Sequence, residues 1–249
     1  MKNYSPPPDL LKGRVILITG ASSGLGRLAS LAYARHGATV ALLGREENKL
    51  EAVYDEIVGA GGPEPAMFPF DLAVADDQGL ENLAGVIGHH LKRLDGILHS
   101  AYAFTNLSPL HLQTMDQWQM LIKVNLIAPF GLTRACLPFF QAAPDASVIF
   151  TGDTHGHYPA AYWGGYAIAK SGIETLTKLW SEELEQNIGI RMNTLIPGAI
   201  ATTLQFRTHP GQLAELLTPA SSLIPYYLYL MGPDSTSIRG QVIECQRDV

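Results

Sequence analysis

Short apolar runs alternate with longer amphipathic stretches from residue 14 to the end of the chain. Seven runs, many of them rich in Val, Ile and Leu, lie at residues 15–18, 39–43, 66–70, 97–99, 147–150, 190–195 and 241–244. Continuous apolar runs of this length are typical of strands that are buried on both faces of a sheet. The pattern therefore predicts seven strands separated by helices.

The stretches between the strands have the spacing of amphipathic helices. The predicted helices end near His36 or cover 46–58, 76–91, 115–127, 129–140 and 165–186, and the two central ones are separated near Pro129. Strand–helix alternation with short turns implies a parallel sheet with right-handed crossovers and helices on both faces. We therefore predict one α/β domain over residues 1–249, a doubly wound seven-stranded sheet whose ligands bind beyond the carboxyl ends of its strands.

Composition and charge narrow the class of protein. Of 249 residues, 47% are hydrophobic and 16% charged, which supplies a two-sided core and argues against disorder. The net charge of −6 gives no basic face for nucleic acid, and no Lys/Arg cluster suggests an anionic membrane surface. Residues 1–10 contain three prolines and no signal-peptide core, and no apolar run is expected to span a bilayer. We expect a soluble, cytoplasmic protein with no nucleic-acid or membrane partner.

The two cysteines support the same compartment. Cys136 and Cys245 lie far apart in the sequence, without C-x-x-C spacing. Such a pair is typical of reduced, partly buried thiols in a reducing environment.

A glycine-rich turn joins the first strand to the first helix. Its sequence from Gly20 is Gly-Ala-Ser-Ser-Gly-Leu-Gly. Gly20 permits the tight turn, Gly24 lets the backbone approach a pyrophosphate, and Gly26 allows close packing of helix and strand. The unpaired N–H groups at the helix N-terminus attract the anion, so this turn predicts a Rossmann-like dinucleotide site.

This G-x-x-x-G-x-G spacing resembles that of the short-chain dehydrogenase/reductase family. In family members that use NAD, the second strand usually ends in an acidic residue, whereas here Gly44 and Arg45 follow that strand. A guanidinium can pair with a 2′-phosphate, so NADP(H) is favoured over NAD(H). The resemblance places Asp71 and Leu72, after the third strand, against the adenine.

The predicted helix at 165–186 carries the only Tyr-x-x-x-Lys in the chain, Tyr166 and Lys170. The i, i+4 spacing places both side chains on one helix face. A nearby ammonium lowers the pKa of a phenol, which can then exchange a proton with a carbonyl oxygen during hydride transfer. The pair also matches the family's catalytic residues.

Further site residues follow from the resemblance alone. Asn125 matches a helix Asn that positions the Lys and a water relay, and residues 197–202 match the loop beside the nicotinamide. The full set of implied dinucleotide contacts is Gly20, Ser22, Ser23, Gly24, Leu25, Gly26, Arg45, Asp71, Leu72, Ser100, Ala101, Tyr166, Lys170, Pro197, Gly198, Ile200 and Thr202.

The chain departs from the family where a Ser usually donates a hydrogen bond to the substrate carbonyl. Asp153 stands there, thirteen residues before Tyr166. An ionised carboxylate cannot donate a hydrogen bond, and its charge would raise the pKa of Tyr166 and repel an oxyanion. Three accounts stay open: Thr154 supplies the hydroxyl, a protonated Asp153 is the donor, or carbonyl chemistry is weakened or lost.

A second departure lies after the fourth strand. The family's Asn-Asn-Ala-Gly is replaced by His99-Ser100-Ala101-Tyr102. Ser100 can still form hydrogen bonds, whereas Tyr102 stands where a Gly normally leaves room beside the cofactor. Its ring is either rotated away or narrows the site.

Asp153, His155 and His157 alternate along the chain and are residue types that bind metals. Because no further distant ligand is evident, loop polarity or substrate contact is the favoured interpretation, and no metal site is predicted.

The resemblance extends over about residues 11–244, and the chain is most similar to bacterial YciK-type oxidoreductases. Residues 9–11, 42–45 and 225–232 carry that similarity. Residues 203–224 should form a variable substrate cap. Its apolar residues, Leu204, Phe206, Leu213, Leu216 and Leu217, suggest a hydrophobic substrate or simply pack the lid. The family also implies a homodimer or homotetramer through helices at 133–140 and 170–185.

Two hypotheses of function follow. The first is an NADP(H)-dependent oxidoreductase that interconverts a carbonyl and an alcohol of a small-molecule substrate, with Tyr166 as acid/base and Asn125, Lys170 and Thr154 or Asp153 assisting. The second is a catalytically impaired dinucleotide-binding protein with a regulatory or scaffold role, which Asp153 and Tyr102 favour.

Overall fold

A single parallel sheet forms the centre of the domain in a computed structural model that describes residues 1–186 and 189–246. Its strands are β1 (Val15–Thr19), β2 (Thr39–Gly44), β3 (Ala66–Pro69), β4 (Gly96–His99), β5 (Ala146–Thr151), β6 (Ile190–Ile196) and β7 (Val242–Glu244). The strand order is β3-β2-β1-β4-β5-β6-β7. All seven predicted strands are confirmed to within one or two residues.

Helices cover both faces of this sheet. They are α1 (Gly24–Arg35), α2 (Glu47–Gly59), α3 (Asp77–Leu91), α4 (Met115–Ile122), α5 (Ala128–Ala142), α6 (Thr154–His157), α7 (Gly164–Glu183), α8 (Thr203–Thr208) and α9 (Ile224–Met231). Successive residues of β1 enter different cores: Ile16 and Ile18 pack in one apolar cluster, and Leu17 in the other. This alternation across a strand gives the chain its two-sided core.

The predicted break near Pro129 is wrong, because the helical path is continuous. A π-helical segment, Lys123–Ile127, joins α4 to α5. Pro129 lies in the first turn of α5, directly after the hydrogen-bond register has shifted. The π-helical segment changes the hydrogen-bond register immediately before Pro129, so the helix continues past a residue that lacks an N–H donor.

This long helical run also corrects the expectation about membrane spans. Residues 115–142 contain an 18-residue window with a mean hydropathy of 1.4, so this run is long and apolar enough to cross a bilayer by length and composition alone. However, 50% of that window is buried within the domain. The run is therefore a packed helix of the α/β layers.

The strand order reverses beside β1, since β2 lies on one side of it and β4 on the other. Parallel sheets of this kind form a crevice at the carboxyl ends of the two strands at such a point. At the opposite end, the Asp145 carboxylate contacts the guanidinium groups of Arg14 and Arg191. These contacts tie β1, β5 and β6 together away from the crevice.

Candidate active site

A cavity of about 1170 Å³ opens at the carboxyl ends of the strands, at the point where the strand order reverses. Nearly all the predicted site residues line it: Gly20, Ser22, Ser23, Gly24, Leu25, Arg45, Asp71, Leu72, Ser100, Ala101, Asp153, Thr154, Tyr166, Lys170, Pro197, Gly198, Ile200 and Thr202. Gly26 and Asn125 are absent from this lining. The topology thus gathers segments that are far apart in sequence into one site.

The glycine-rich turn has the shape that a diphosphate needs. Gly20 and Gly24 adopt positive φ values of 67° and 52°, which favour glycine. A Cβ on Gly20 would lie 2.9 Å from the backbone of Ala101. A Cβ on Gly26 would lie 2.2 Å from the Gly20 carbonyl oxygen, so Gly26 serves helix–strand packing. The first turn of α1 carries no acidic side chain, which leaves its N–H groups available to an anion.

Beyond the glycine-rich turn, the cavity is lined by residues that follow β2 and β3, among them Arg45 and Asp71. Arg45 is exposed and follows the last residue of β2. The neighbouring carboxylate, Glu46, accepts a hydrogen bond from Lys49 at 2.7 Å. Asp71 accepts a hydrogen bond from the N–H of Ala73 at 2.9 Å, which holds the turn after β3. Arg45 therefore lines the same cavity as the glycine-rich turn.

The turn after β4 is held by β1. Thr19 Oγ1 accepts hydrogen bonds from the N–H groups of Ser100 and Ala101, both at 3.1 Å. His99 stacks on Phe150 with ring centroids 4.9 Å apart, and burial lowers its pKa to about 3, so the imidazole is neutral. Tyr102 lines the cavity and is 43% exposed.

Tyr166 and Lys170 lie one turn apart on α7 and are buried, with exposed fractions of 2% and 4%. The Lys170 ammonium lies 5.7 Å from the centroid of the Tyr166 ring and donates a hydrogen bond to the Thr151 carbonyl at 2.8 Å. Burial lowers the pKa of Lys170 to about 8, an effect that the charge of Asp153 partly offsets. The ammonium faces the backbone of β5 below the phenol ring.

The phenol itself contacts Asp153. Tyr166 donates a hydrogen bond to Asp153 Oδ2 at 3.2 Å, while Asp153 Oδ1 accepts one from the N–H of His155 at 2.8 Å. Burial, followed by the charge of Asp153, raises the pKa of Tyr166 well above its usual value. Tyr166 is therefore a protonated phenol at neutral pH. Thr154 begins α6 and lines the cavity, but Asp153 is the residue that the phenol contacts.

Asn125 lies in the π-helical segment and is buried. Its amide donates to the carbonyls of Ala103 and Leu121 at 2.8 and 2.9 Å, and its oxygen accepts from the N–H of Ala103 at 3.3 Å. Asn125 therefore fixes the loop after β4, and its part in a relay stays a prediction.

The two histidines that follow Asp153 diverge. His155 stacks on Trp163 with ring centroids 3.6 Å apart, and its Nδ1 lies 3.3 Å from Asp153 Oδ1. His157 instead places its Nδ1 2.7 Å from Oε2 of Glu174 on α7. Within residues 1–186 and 189–246, no three His, Cys, Asp or Glu side chains are placed to share a metal ion.

An aromatic wall around Tyr166 was missed by the sequence analysis. Phe104 makes an edge contact with the Tyr166 ring at 5.1 Å, and Trp163 lies 5.9 Å from that ring. The Arg207 guanidinium, from α8, lies 5.6 Å from the Phe104 ring. Trp163 stands three residues before Tyr166, a helical spacing that would have signalled the contact. Phe104 lies in an irregular loop, which no periodicity reveals.

The cap at 203–224 contributes fewer apolar side chains to the cavity than its composition suggests. Leu204 lines the cavity and packs against the cluster that contains Tyr166. Leu217 is buried, and Leu213 and Leu216 are exposed. Thr202 accepts a hydrogen bond from the N–H of Gln205 at 3.4 Å and so begins α8.

We expect the buried Lys170 ammonium to lower the free energy of unfolding of the domain. A lysine in an unfolded chain titrates near pH 10.4. Since the pKa of folded Lys170 is about 8, the folded chain binds this proton more weakly than the unfolded chain does. The cost is complete below pH 8 and declines as the pH rises towards the unfolded value. Lys170→Met should therefore raise the free energy of unfolding by about 3 kcal/mol at pH 7, and by less at pH 9.5.

Urea denaturation at both pH values measures this gain. Lys178→Met is the matched control, because Lys178 is exposed on the same helix and its loss should change stability by less than about 0.5 kcal/mol. A Lys170→Met variant that is less stable than the parent at pH 7 would contradict the assignment.

The fold has close counterparts among solved structures. A Pseudomonas syringae protein described as a short chain dehydrogenase has a TM-score of 0.94 and 41% identity, covering 98% of this chain and 99% of that one. A short chain dehydrogenase from Escherichia coli CFT073, crystallised with NADPH, has a TM-score of 0.93 and 37% identity, covering 97% and 100%. These likenesses extend over the whole domain.

Sequence comparisons agree. The Escherichia coli K12 oxidoreductase YciK is 37% identical over 244 residues, which cover 98% of this chain and 96% of that protein. The 3-oxoacyl-[acyl-carrier-protein] reductase FabG of Thermotoga maritima is 29% identical over 245 residues, covering 94% and 96%. The profile of the short chain dehydrogenases matches residues 14–212. The chain therefore belongs to the short-chain dehydrogenase family of NAD(P)-dependent oxidoreductases.

Proposed function

We propose that this protein transfers a hydride between NADP(H) and a small-molecule substrate, interconverting a carbonyl and an alcohol, with Tyr166 as the acid/base. The observation that carries the proposal is the burial of Tyr166 and Lys170 one helical turn apart in the cavity that also holds the diphosphate turn. When bound, the reduced nicotinamide supplies the hydride.

The residues of this chain would bind the dinucleotide and move a proton to or from the substrate. The N–H groups at the start of α1 would hold the diphosphate, and the turns after β4 and β6 line the same cavity. Tyr166, protonated at neutral pH, is the group that can deliver a proton to a reduced substrate oxygen. Lys170 supplies positive charge beneath the ring, which favours loss of that proton.

A second candidate function is dinucleotide binding with impaired catalysis. The Asp153 carboxylate lies at the phenol hydroxyl and accepts its hydrogen bond at 3.2 Å. As a carboxylate it cannot donate to a substrate oxygen, and it would repel the negative charge that develops there. This contact favours slow carbonyl turnover in the native chain.

Two substitutions separate these candidates. Tyr166→Phe should lower kcat for aldehydes, ketones or quinones by at least about 100-fold, since it removes the proton donor. Asp153→Ser should raise kcat/KM for the same carbonyls by about tenfold or more, since it replaces a repelling charge with a hydrogen-bond donor. NADPH oxidation followed at the absorbance of the reduced ring measures both.

The control is the NADPH affinity of Asp153→Ser, which should equal that of the parent because Asp153 is not among the expected dinucleotide contacts. If Asp153→Ser gains activity from an inactive parent, the native chain is catalytically impaired towards carbonyls. If Tyr166→Phe retains the parent's turnover, Tyr166 is not the acid/base.

The preference for NADP(H) rests on Arg45 and on the absence of a carboxylate at the end of β2. It is also supported by the NADPH and NADP that related short chain dehydrogenases from Escherichia coli and Shigella flexneri contain. A guanidinium can form two parallel hydrogen bonds to a 2′-phosphate, which NADH lacks.

Arg45→Asp should therefore weaken NADPH binding by about tenfold to 100-fold and leave NADH binding unchanged or tighter. Calorimetric titration with each dinucleotide measures the two affinities. The matched control is Arg35→Asp, a charge reversal at the far end of α1 that should alter neither. Equal weakening of NADH and NADPH by Arg45→Asp would contradict this role.

We further propose a symmetric homo-oligomer, a homodimer or homotetramer, assembled through α5 and α7. Phe130 on α5 and Ile168 and Leu179 on α7 are exposed apolar side chains. Ile168 and Leu179 are eleven residues apart and so share one face of the helix. A paired copy of the same surface would bury them.

The buried, unpaired thiols of Cys136 and Cys245 support a cytoplasmic location.

A further inference from the structure

Asp153 places a negative charge at the position where the substrate's reacting heteroatom must bind. Its Oδ2 lies 3.2 Å from the Tyr166 hydroxyl. Both of its oxygens accept hydrogen bonds here, Oδ2 from the phenol and Oδ1 from the N–H of His155, so the group acts as an acceptor at this position. A substrate atom that contacts the phenol therefore also lies next to the carboxylate.

The neighbouring positive charges do not cancel this one at the phenol. The Lys170 ammonium is directed to the Thr151 carbonyl, 2.8 Å away, and lies beneath the Tyr166 ring. The Arg207 guanidinium lies over the Phe104 ring, and the Phe104 ring in turn makes an edge contact with the Tyr166 ring. At the hydroxyl, the carboxylate is the charged group in direct contact.

We infer that the reacting group this site prefers is a protonated carbon–nitrogen double bond, in a substrate with a flat or aromatic ring. The inference rests on the proposed NADP(H)-dependent hydride transfer. An iminium N–H carries positive charge and donates a hydrogen bond, which is what the Asp153 carboxylate can accept. A carbonyl oxygen offers the carboxylate neither.

The chemistry of this step balances without a further reactant. The iminium carbon accepts the hydride from the reduced nicotinamide, and the π electrons of the C=N bond move onto nitrogen. The products are a neutral amine and the oxidised dinucleotide. No proton is consumed, so a phenol with a raised pKa is no obstacle to the reaction. Pairing with Asp153 also favours the protonated imine, which accepts hydride more readily than the neutral imine.

The walls around the phenol suit a planar ring. Phe104, Trp163 and the stacked His155 form an aromatic surface beside Tyr166. Aromatic side chains bind planar and cationic groups through their faces and edges. A cyclic imine fused to an aromatic ring is therefore the probe that fits both features.

Binding tests the inference without turnover. The enzyme loaded with NADPH is titrated at pH 7 with 1,2,3,4-tetrahydroisoquinoline, a cation at this pH, and with isochroman, in which a neutral oxygen replaces the charged nitrogen. Calorimetry should show the cation binding at least about tenfold more tightly, as expected for a charge-assisted hydrogen bond. In Asp153→Asn, which keeps the size but removes the charge, this preference should disappear.

Steady-state turnover provides a second test of the inference. The parent should reduce 3,4-dihydroisoquinoline with a kcat/KM at least about tenfold higher than that for the ketone 1-tetralone. Asp153→Ser should reverse this ratio. Glu244→Gln is the matched control, because it removes a different carboxylate from the cavity wall and should leave the ratio unchanged.

The outcomes separate this inference from the proposed function. Equal binding of the two ring compounds, or a parent that prefers the ketone, overturns the inference while hydride transfer stands. A protein that binds no NADPH and reduces neither substrate overturns the proposed function, and the inference with it. Loss of the cation preference in Glu244→Gln as well as in Asp153→Asn would also overturn it, since general charge would then be responsible.

Discussion

The hydrogen bond between the Tyr166 phenol and the Asp153 carboxylate decides what this site can do. It joins the end of β5 to α7 and places a negative charge beside the acid/base. Burial, followed by that charge, raises the pKa of Tyr166 well above its usual value. The phenol therefore begins the reaction with its proton. A heteroatom bound to the phenol also meets a carboxylate, at the position where the family resemblance predicts a serine hydroxyl.

The fold positions this contact through features that are remote from it. Reversal of strand order between β1 and β4 opens the crevice, and Thr19 holds the turn that follows β4. The Asp145 contacts to Arg14 and Arg191 secure the other end of the sheet. Tyr166 and Lys170 thus lie on the long helix α7, while the cap at 203–224 covers a separate part of the cavity wall. Such an arrangement allows substrate preference to change without a change of fold.

Much of the architecture could be predicted from the sequence because it rests on local periodicity. Apolar runs fix the strands, and the glycines of the phosphate turn mark the first crossover. The break near Pro129 was predicted wrongly, since a π-helical segment before it resets the hydrogen-bond register, an effect that no propensity reveals. The position of Asp153 in the cavity wall could be expected because it lies thirteen residues before Tyr166 in the sequence. The packing of Phe104 and of His155 on Trp163 could not, because loops meet there through tertiary contacts alone.

The state of the phenol is the central claim, and its ionisation can be observed directly. Ultraviolet difference titration of the parent against Tyr166→Phe isolates the tyrosinate absorbance of this one side chain. The account predicts that Tyr166 is still protonated at pH 10, its ordinary midpoint, and that Asp153→Ser shifts its ionisation to lower pH. Ionisation of Tyr166 well below pH 10 in the parent, unchanged by Asp153→Ser, would contradict the account.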